Sequence, residues 1–159
     1  MSDKVDPIPS EYGSITPYLI VDDGNKAIAF YEKVFGATER MRIGGPDGKV
    51  GHAELQFGQS IIMMAEAFPD MGFKSPKEYG GSPVSICLYV ADVDAVFKAA
   101  IDAGAEQIKP LENQFYGDRS GTIKDPFGHV WTVASRIEIL SPSEIQQRAA
   151  QAFGGGAPN

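Results

Sequence analysis

Two ionisable side chains that can carry out acid–base chemistry, His52 and Glu54, stand two positions apart in the segment 49–57. That segment has the pattern of a β-strand, and residues two apart in a strand point to the same face. There Glu54 can orient the imidazole of His52 or act as a general base. The alternative is structural, with a partly buried histidine and a glutamate paired to Lys124 or Arg119. We expect at least one of the two to contact a ligand.

A second group of polar and aromatic side chains, Tyr116, Asp118 and Arg119, precedes the strand expected at 121–124. In our interpretation these residues lie in a loop, where functional side chains are disproportionately found. Arg119 can clamp an anionic group through its guanidinium. The alternative is a salt-bridge network centred on Asp118 and Arg119, and the sequence favours neither.

The next stretch, Asp125-Pro126-Phe127-Gly128, predicts a hairpin turn rather than a site. Proline fixes φ, and glycine supplies the positive φ that a tight turn requires. Beyond this turn, Trp131 is expected in the core.

The elements that position these residues follow one order twice: a strand, a helix and three further strands. Asp23 and Asp92 stand where helix N-caps are expected, and Gly36 and Gly104 suit the position after each helix. A connection rich in proline and glycine, 68–82, separates the two sets. The strands are expected at 14–21, 38–43, 49–57 and 60–65, then at 84–90, 107–112, 121–124 and 129–135, and the first helix at 24–35.

Internal repetition supports this order. "YLIVDDGNKAI" (18–28) aligns with "CLYVADVDAVF" (87–97), and "LQFGQSII" (55–62) aligns with "DPFGHVWT" (125–132), which places Ile62 over Thr132. The shift between the copies is about seventy residues throughout. The sequence therefore predicts a duplicated βαβββ module.

Two longer stretches, "HAELQFGQSIIMMAEAFPDMG" and "FYGDRSGTIKDPFGHVW", carry a family resemblance. From about residue 15 to residue 135 the chain resembles the vicinal oxygen chelate superfamily of glyoxalase I, bleomycin-resistance proteins and extradiol dioxygenases, and within it the PhnB-like subgroup. The resemblance implies an α+β fold in which paired βαβββ modules curl mixed sheets around a cupped cavity.

The resemblance also implies where a metal would be held. Metal-dependent members place one ligand on the first and one on the last strand of each module, which here correspond to Thr16 and Ser85 and to Ile62 and Thr132. A divalent ion there needs His, Glu, Gln, Asp or Tyr side chains. None of the four positions has one, so we expect no metal and no other cofactor.

Strand alternation sorts the remaining side chains into a helix-facing row and a cup-facing row. Tyr18 and Tyr89 are expected on the cup side, and His52 and Glu54 are expected to point inward together with Met64. The predicted ligand contacts are Tyr18, Met64, Tyr89, Tyr116, Asp118 and Arg119, and the predicted catalytic pair is His52 and Glu54.

The predicted domain organisation is an N-terminal arm, 1–13, a glyoxalase-like domain, 14–137, with modules at about 14–67 and 83–137, and a C-terminal helix and flexible tail, 138–159. Ser141-Pro142-Ser143-Glu144 is a capping box that should start this last helix. Because unpaired strand edges invite association, we expect a homodimer with this helix on or near the partner.

Composition limits the partners. The net charge of −7 disfavours nucleic acid, and no apolar run approaches the length that spans a membrane. One cysteine fits a reducing, cytoplasmic compartment.

Two functions remain open on these grounds. The first is binding of a small organic molecule in the cup without the usual metal site. The alternative is a metal-independent lyase, isomerase or hydrolase that uses His52 and Glu54 as acid and base.

Overall fold

The chain folds into two compact units, Met1–Gly81 and Ser82–Asn159, each built around a four-stranded mixed sheet. The computed structural model describes residues 5–154. The first four residues of the predicted arm and the last five of the predicted tail lie outside the described residues. Each unit has the order strand, helix, three strands, which confirms the predicted α+β fold of duplicated βαβββ modules.

Unit 1 contains strands β1 to β4 and two helices. Its sheet has the order β1-β4-β3-β2, with β1 parallel to β4 and the other pairs antiparallel. β1 is an edge strand that starts directly after Pro17, and both positions are ones where a proline is tolerated next to a ladder. The bounds are β1 Tyr18–Val21, α1 Gly24–Phe35, β2 Thr38–Gly44, β3 Val50–Phe57, β4 Ser60–Glu66 and α2 Pro76–Tyr79.

Helix α1 covers one face of this sheet. Its cap is as predicted, since the side chain of Asp23 accepts a hydrogen bond from the Lys26 N–H, and Gly36 is left-handed with φ of 68°. The buried face of the helix contacts β2, β3 and β4. The core of unit 1 therefore lies between α1 and the sheet face that carries Leu19, Leu55 and Met64, all buried.

Unit 2 repeats the arrangement with the order β5-β8-β7-β6 and β5 parallel to β8. Helix α3 contacts β6, β7 and β8, and Trp131 is fully buried as predicted. A final helix, α4, starts at the predicted capping box of Ser141 and Glu144. The bounds are β5 Ser85–Tyr89, α3 Val93–Asp102, β6 Glu106–Asn113, β7 Asp118–Lys124, β8 Val130–Arg136 and α4 Pro142–Ala152.

The central hairpins of the two units differ in length by one residue. In unit 1, Phe57 pairs with Ser60 across a two-residue turn. In unit 2, the Asp125 N–H donates to the His129 carbonyl at 2.8 Å across three residues. Since side chains alternate along a strand, one extra residue changes which residues of β8 match those of β4.

This difference corrects one predicted alignment. Tyr18, Met63 and Glu54 form a row across unit 1, and the matching row of unit 2 is Cys87, Thr132 and Thr122. Met63 is therefore the counterpart of Thr132, and the predicted match of Ile62 with Thr132 is wrong. Ile62 lies opposite Leu55, on the face under α1.

None of the helices between residues 5 and 154 is long and apolar enough to cross a membrane.

Candidate functional site

Glu54 places a carboxylate inside unit 1, on the sheet face opposite α1. Its side chain is nearly inaccessible, with 4% of the residue exposed. The Tyr12 hydroxyl donates to it, 2.8 Å from each carboxylate oxygen. Arg40 Nη1 lies 3.5 Å from Oε2, and His52 Nε2 lies 3.5 Å from Oε1. A phenol, a guanidinium and an imidazole thus surround one buried carboxylate.

Lys124 and Arg119, the partners considered for Glu54 in the structural alternative, each form an ion pair with a residue of their own unit. Lys124 pairs with Glu106 at 2.7 Å, and Arg119 pairs with Asp94 at 2.8 Å. Glu54 contacts residues of its own unit because β2 and the segment before β1 bring Arg40 and Tyr12 to it. The residues that hold the carboxylate therefore belong to unit 1.

His52 continues the polar contacts from Glu54 to Tyr18. His52 and Glu54 share one face of β3, as their spacing predicts. The Tyr18 hydroxyl lies 2.8 Å from His52 Nδ1. The two rings are 5.5 Å apart at an angle of 42°. Burial raises the pKa of the Tyr18 phenol, which favours its neutral form. The result is a continuous chain, Glu54–His52–Tyr18, which we call the polar chain.

A cavity of about 410 Å³ lies beside the polar chain in unit 1. It is bounded by β1, by the C-terminal end of β4, by the β2–β3 connection with the start of β3, and by the segment 68–73. Most of its wall is apolar, as is usual for small-molecule pockets. The lining residues are Tyr18, Ile20, Gly45, Pro46, Lys49, Val50, Gly51, Ala65, Glu66, Phe68, Met71 and Phe73.

The segment 68–73 forms one wall of this cavity as a closed loop. Phe68 and Phe73 exchange backbone hydrogen bonds of 2.7 and 3.1 Å around the turn Pro69–Met71. Although their backbone is fixed, Phe68, Met71 and Phe73 leave much of their side chains exposed, Met71 most with 69%. Exposed apolar side chains gathered at one cavity are a pattern typical of binding surfaces.

Two charged residues border the same cavity. Glu66 is used structurally, because its Oε2 accepts hydrogen bonds of 3.2 Å from the Gly24 and Val50 N–H groups, the first of them at the start of α1. Lys49 places its ammonium 5.9 Å from the centre of the Phe68 ring. Lys49 forms no ion pair with any residue in the described part of the chain. A positive charge is therefore available at the rim.

Unit 2 holds a smaller and more polar cavity, of about 280 Å³. Three predicted ligand contacts, Tyr89, Tyr116 and Asp118, line it. The Tyr89 hydroxyl donates to Asp118 Oδ2 at 2.6 Å. This hydrogen bond, together with burial and the negative charge of Asp118, raises the pKa of Tyr89 to about 12. The other lining residues are Arg136, Glu138, Ile139, Leu140 and Ile145.

Two predicted ligand contacts, Arg119 and Met64, line neither of the two cavities. Asp118 and Arg119 lie in β7 and not in a loop, so their side chains point to opposite faces. Arg119 donates to Asp94 at 3.0 and 2.8 Å and to Asn113 at 3.1 Å, away from the cavity of its unit. Met64 is fully buried under α1, because it lies opposite Ala53 on the helix-facing side. Met63 occupies the row to which Met64 was assigned.

The predicted residues that remain fall into a set in each unit, namely Tyr18, His52 and Glu54 in unit 1 and Tyr89, Tyr116 and Asp118 in unit 2. That one pocket is bordered by Tyr18, His52, Glu54, Tyr89, Tyr116 and Arg119 stays a prediction. Tyr12 and Arg40 were missed by sequence reasoning. Tyr12 falls within the predicted arm, where its hydroxyl gives no periodic signal.

The side chains at the positions expected for a metal do not fit one. The last-strand position of the row across the first, last and third strands is Met63 in unit 1 and Thr132 in unit 2, and neither side chain is a ligand for a hard divalent ion. Residues 5–154 contain no group of three or more His, Cys, Asp or Glu side chains arranged to hold a metal.

The amino-acid sequence is similar to a known protein family and to individual relatives. The family model of the Glyoxalase/Bleomycin resistance protein/Dioxygenase superfamily matches residues 12–133. The uncharacterized protein Rv0887c of Mycobacterium tuberculosis is 45% identical over 136 residues, covering 84% of this chain and 80% of that protein.

Solved structures share the fold. The Arabidopsis thaliana protein At5g48480 has 27% identity and a TM-score of 0.62, covering 77% of this chain and 98% of that one. A PhnB protein from Bacillus cereus has 18% identity and a TM-score of 0.62, again with 77% and 98% covered. At that identity the second likeness concerns the fold alone.

Proposed function

The chain belongs to the Glyoxalase/Bleomycin resistance protein/Dioxygenase superfamily, and from this premise we propose that unit 1 binds a small organic molecule in its cavity without the usual metal site. The observation that carries the proposal is the apolar cavity wall, where Phe68, Met71 and Phe73 remain exposed on a closed loop. Covering such side chains is favourable by about 25 cal/mol for each Å² removed from water.

The proposal includes the remaining predicted contacts. Tyr18 borders the cavity and is the point where the polar chain meets it. In unit 2, Tyr89, Tyr116 and Asp118 line the smaller cavity and are proposed as ligand contacts there. Arg119 and Met64 are not included, because of their positions.

Native mass spectrometry of the purified protein tests the cavity directly. We expect a bound small molecule that is lost from the variant Ala65→Phe, since Ala65 lines the cavity and a phenyl ring would fill part of it. Ala95→Phe is the matched control, because Ala95 is exposed on α3 and lines neither cavity described above. A ligand retained equally by both variants would contradict the proposal.

The second candidate function is a metal-independent lyase, isomerase or hydrolase. The observation that favours it is the polar chain, in which a buried carboxylate contacts an imidazole that contacts a phenol. Such an arrangement can pass a proton to or from a bound molecule. If this function holds, His52→Ala keeps ligand binding and abolishes turnover of the bound molecule. Stoichiometric Zn, Fe or Mn in the purified protein would contradict both candidates.

We also propose a homodimer, in a cytoplasmic setting consistent with a single cysteine. The outer strands of each sheet support association, as does the exposed apolar surface of Ile139 and Phe153. Within its own unit, α4 already contributes Ile145 to the smaller cavity and Arg148 to an ion pair with Glu138. Light scattering should give twice the chain mass of 17.1 kDa, and a mass of one chain would contradict the dimer.

A further inference from the structure

We propose that the ligand of unit 1 is a largely apolar molecule bearing a hydroxyl or N–H group, and that this group donates a hydrogen bond to the phenol oxygen of Tyr18. The inference rests on the proposed function and names the chemical class of the ligand. It is argued from the order of donors and acceptors along the polar chain.

The first step concerns Glu54. A carboxylate only accepts hydrogen bonds. Tyr12 donates to it and the guanidinium of Arg40 faces it, so the environment of Glu54 consists of donors. His52 Nε2 lies 3.5 Å from Oε1, and this contact is favourable only if Nε2 carries a hydrogen. The carboxylate therefore selects the tautomer of the neutral imidazole.

The second step concerns Tyr18. With the hydrogen on Nε2, the Nδ1 atom of the neutral imidazole is a bare acceptor. The hydroxyl 2.8 Å away must then donate to it, so the proton of Tyr18 is committed to His52. The phenol oxygen is left with lone pairs, and towards any other molecule it can only accept.

The third step concerns the cavity. Of the polar chain, Tyr18 is the member that lines it, and His52 and Glu54 stand behind the phenol as positioning residues. The other walls supply apolar contacts from Phe68 and Phe73. A ligand that fills this space without a donor leaves the Tyr18 oxygen without its partner, which weakens binding. The cavity therefore selects for a donor on an apolar body.

The test compares two compounds of the same apolar body, 2-naphthol and 2-methoxynaphthalene, by isothermal titration calorimetry at pH 8, where a free imidazole is neutral. The first carries a hydroxyl donor and the second does not. We expect 2-naphthol to bind about five- to tenfold more tightly, the effect of one net hydrogen bond. Tyr18→Phe should reduce this ratio to about one, while Tyr79→Phe, at an exposed tyrosine outside the cavity lining, should leave it unchanged.

The ratio of the affinities for 2-naphthol and 2-methoxynaphthalene also tests the role of His52. His52→Ala frees the Tyr18 proton to be donated, so the preference for 2-naphthol should fall. His52→Asn keeps an oxygen acceptor near the position of Nδ1 and should restore the preference. A loss of affinity for both compounds alike in His52→Ala would indicate a structural role and overturn the assignment.

The outcomes separate this inference from the proposed function. If both compounds bind the native protein equally and both are lost in Ala65→Phe, the cavity proposal stands and the donor assignment is overturned. If neither compound binds, both are contradicted. A preference for 2-naphthol that survives in Tyr18→Phe would overturn the role of Tyr18.

Discussion

Units 1 and 2 share one fold and present different chemistry on corresponding rows of their sheets. In unit 1 the row across the first, last and third strands is Tyr18, Met63 and Glu54, and in unit 2 it is Cys87, Thr132 and Thr122. The buried carboxylate of unit 1 thus has a threonine as its counterpart, whose hydroxyl lies 3.1 Å from that of Thr132. The duplicated backbone fixes where side chains point and leaves their chemistry free to differ.

The hairpins show a second difference. The two-residue turn of unit 1 needs a positive φ at Gly58, observed at 56°. The longer turn of unit 2 is held by Asp125, whose Oδ1 accepts from the Phe127 and His129 N–H groups and whose Oδ2 accepts from Trp131 Nε1. Asp125 is a structural residue, as the turn pattern predicts.

The largest effect is expected at that turn. Asp125→Ala removes three hydrogen bonds of 2.8 to 3.0 Å from a residue that is 3% exposed. At about 1.5 kcal/mol or more for each hydrogen bond to a charged group, the free energy of unfolding should fall by at least about 4 kcal/mol. Urea unfolding followed by the fluorescence of Trp131 measures this in unit 2. Gln59→Ala, in the exposed turn of unit 1, is the control and should change little, whereas equal losses for the two would remove the distinction between the hairpins.

The next effect concerns the burial of charge in unit 1. Tyr12→Phe removes the donor that contacts both oxygens of Glu54, and because hydrogen bonds to charged groups are stronger than those between neutral groups, the free energy of unfolding should fall, although by less than in Asp125→Ala. In unit 2, Tyr116→Phe removes only a contact of 3.4 Å with Ser120 and should cost less than about 0.5 kcal/mol. Denaturation followed by circular dichroism compares them. A neutral Tyr12→Phe would mean that Arg40 and His52 suffice for Glu54.

A smaller effect is expected in the pH dependence of unit 2. The pKa of Tyr89 is raised from 10.0 to about 12, first by its hydrogen bond to Asp118. A pKa raised in the folded state stabilises the fold fully below pH 10 and loses this contribution as pH rises towards 12. Since 56% of Tyr89 is exposed, the change in stability should be modest.

Asp118→Asn tests this linkage. Ultraviolet titration of the tyrosines should show a late transition, that of Tyr89, which moves to lower pH in the variant. If the titration curves of the native protein and the variant coincide, Asp118 does not hold the proton of Tyr89.

The smallest effect is expected for the exposed ion pair of Arg119 and Asp94. Arg119→Ala should change the free energy of unfolding little, because solvent screens such pairs. Arg40→Ala should cost more, because its partner Glu54 is buried. Double-mutant cycles with Asp94→Ala and Glu54→Ala measure both couplings, and a stronger coupling at Arg119 would reverse the comparison.

The sequence predicts the fold better than the site, for physical reasons. Helix caps, the glycines after the helices and alternating strands are local signals, so Asp23, Gly36 and the spacing of His52 and Glu54 could be interpreted correctly. The hairpin register could not, because Phe57 ends a strand and Gly58 begins the turn in unit 1, whereas Phe127 and Gly128 both lie inside the turn in unit 2.

Contacts between distant segments explain the remaining misses. Tyr12 reaches Glu54 across 42 positions, and no spacing rule connects an arm residue to a strand. Asp118 and Arg119 were expected in a loop before a strand at 121–124, yet β7 starts at Asp118 and separates their side chains. Such contacts follow from tertiary packing, which local patterns in a single sequence do not predict.

The central claim, that the cavity of unit 1 takes a small apolar ligand, is tested most directly by nuclear magnetic resonance of methionine methyl groups. Met71 lines the cavity, whereas Met41 is exposed on β2 outside it. On titration with 2-naphthol, the account predicts a saturable shift of the Met71 methyl signal with the Met41 signal unchanged. A Met71 signal that does not move, or signals of Met41 and Met71 that move alike without saturation, would contradict it.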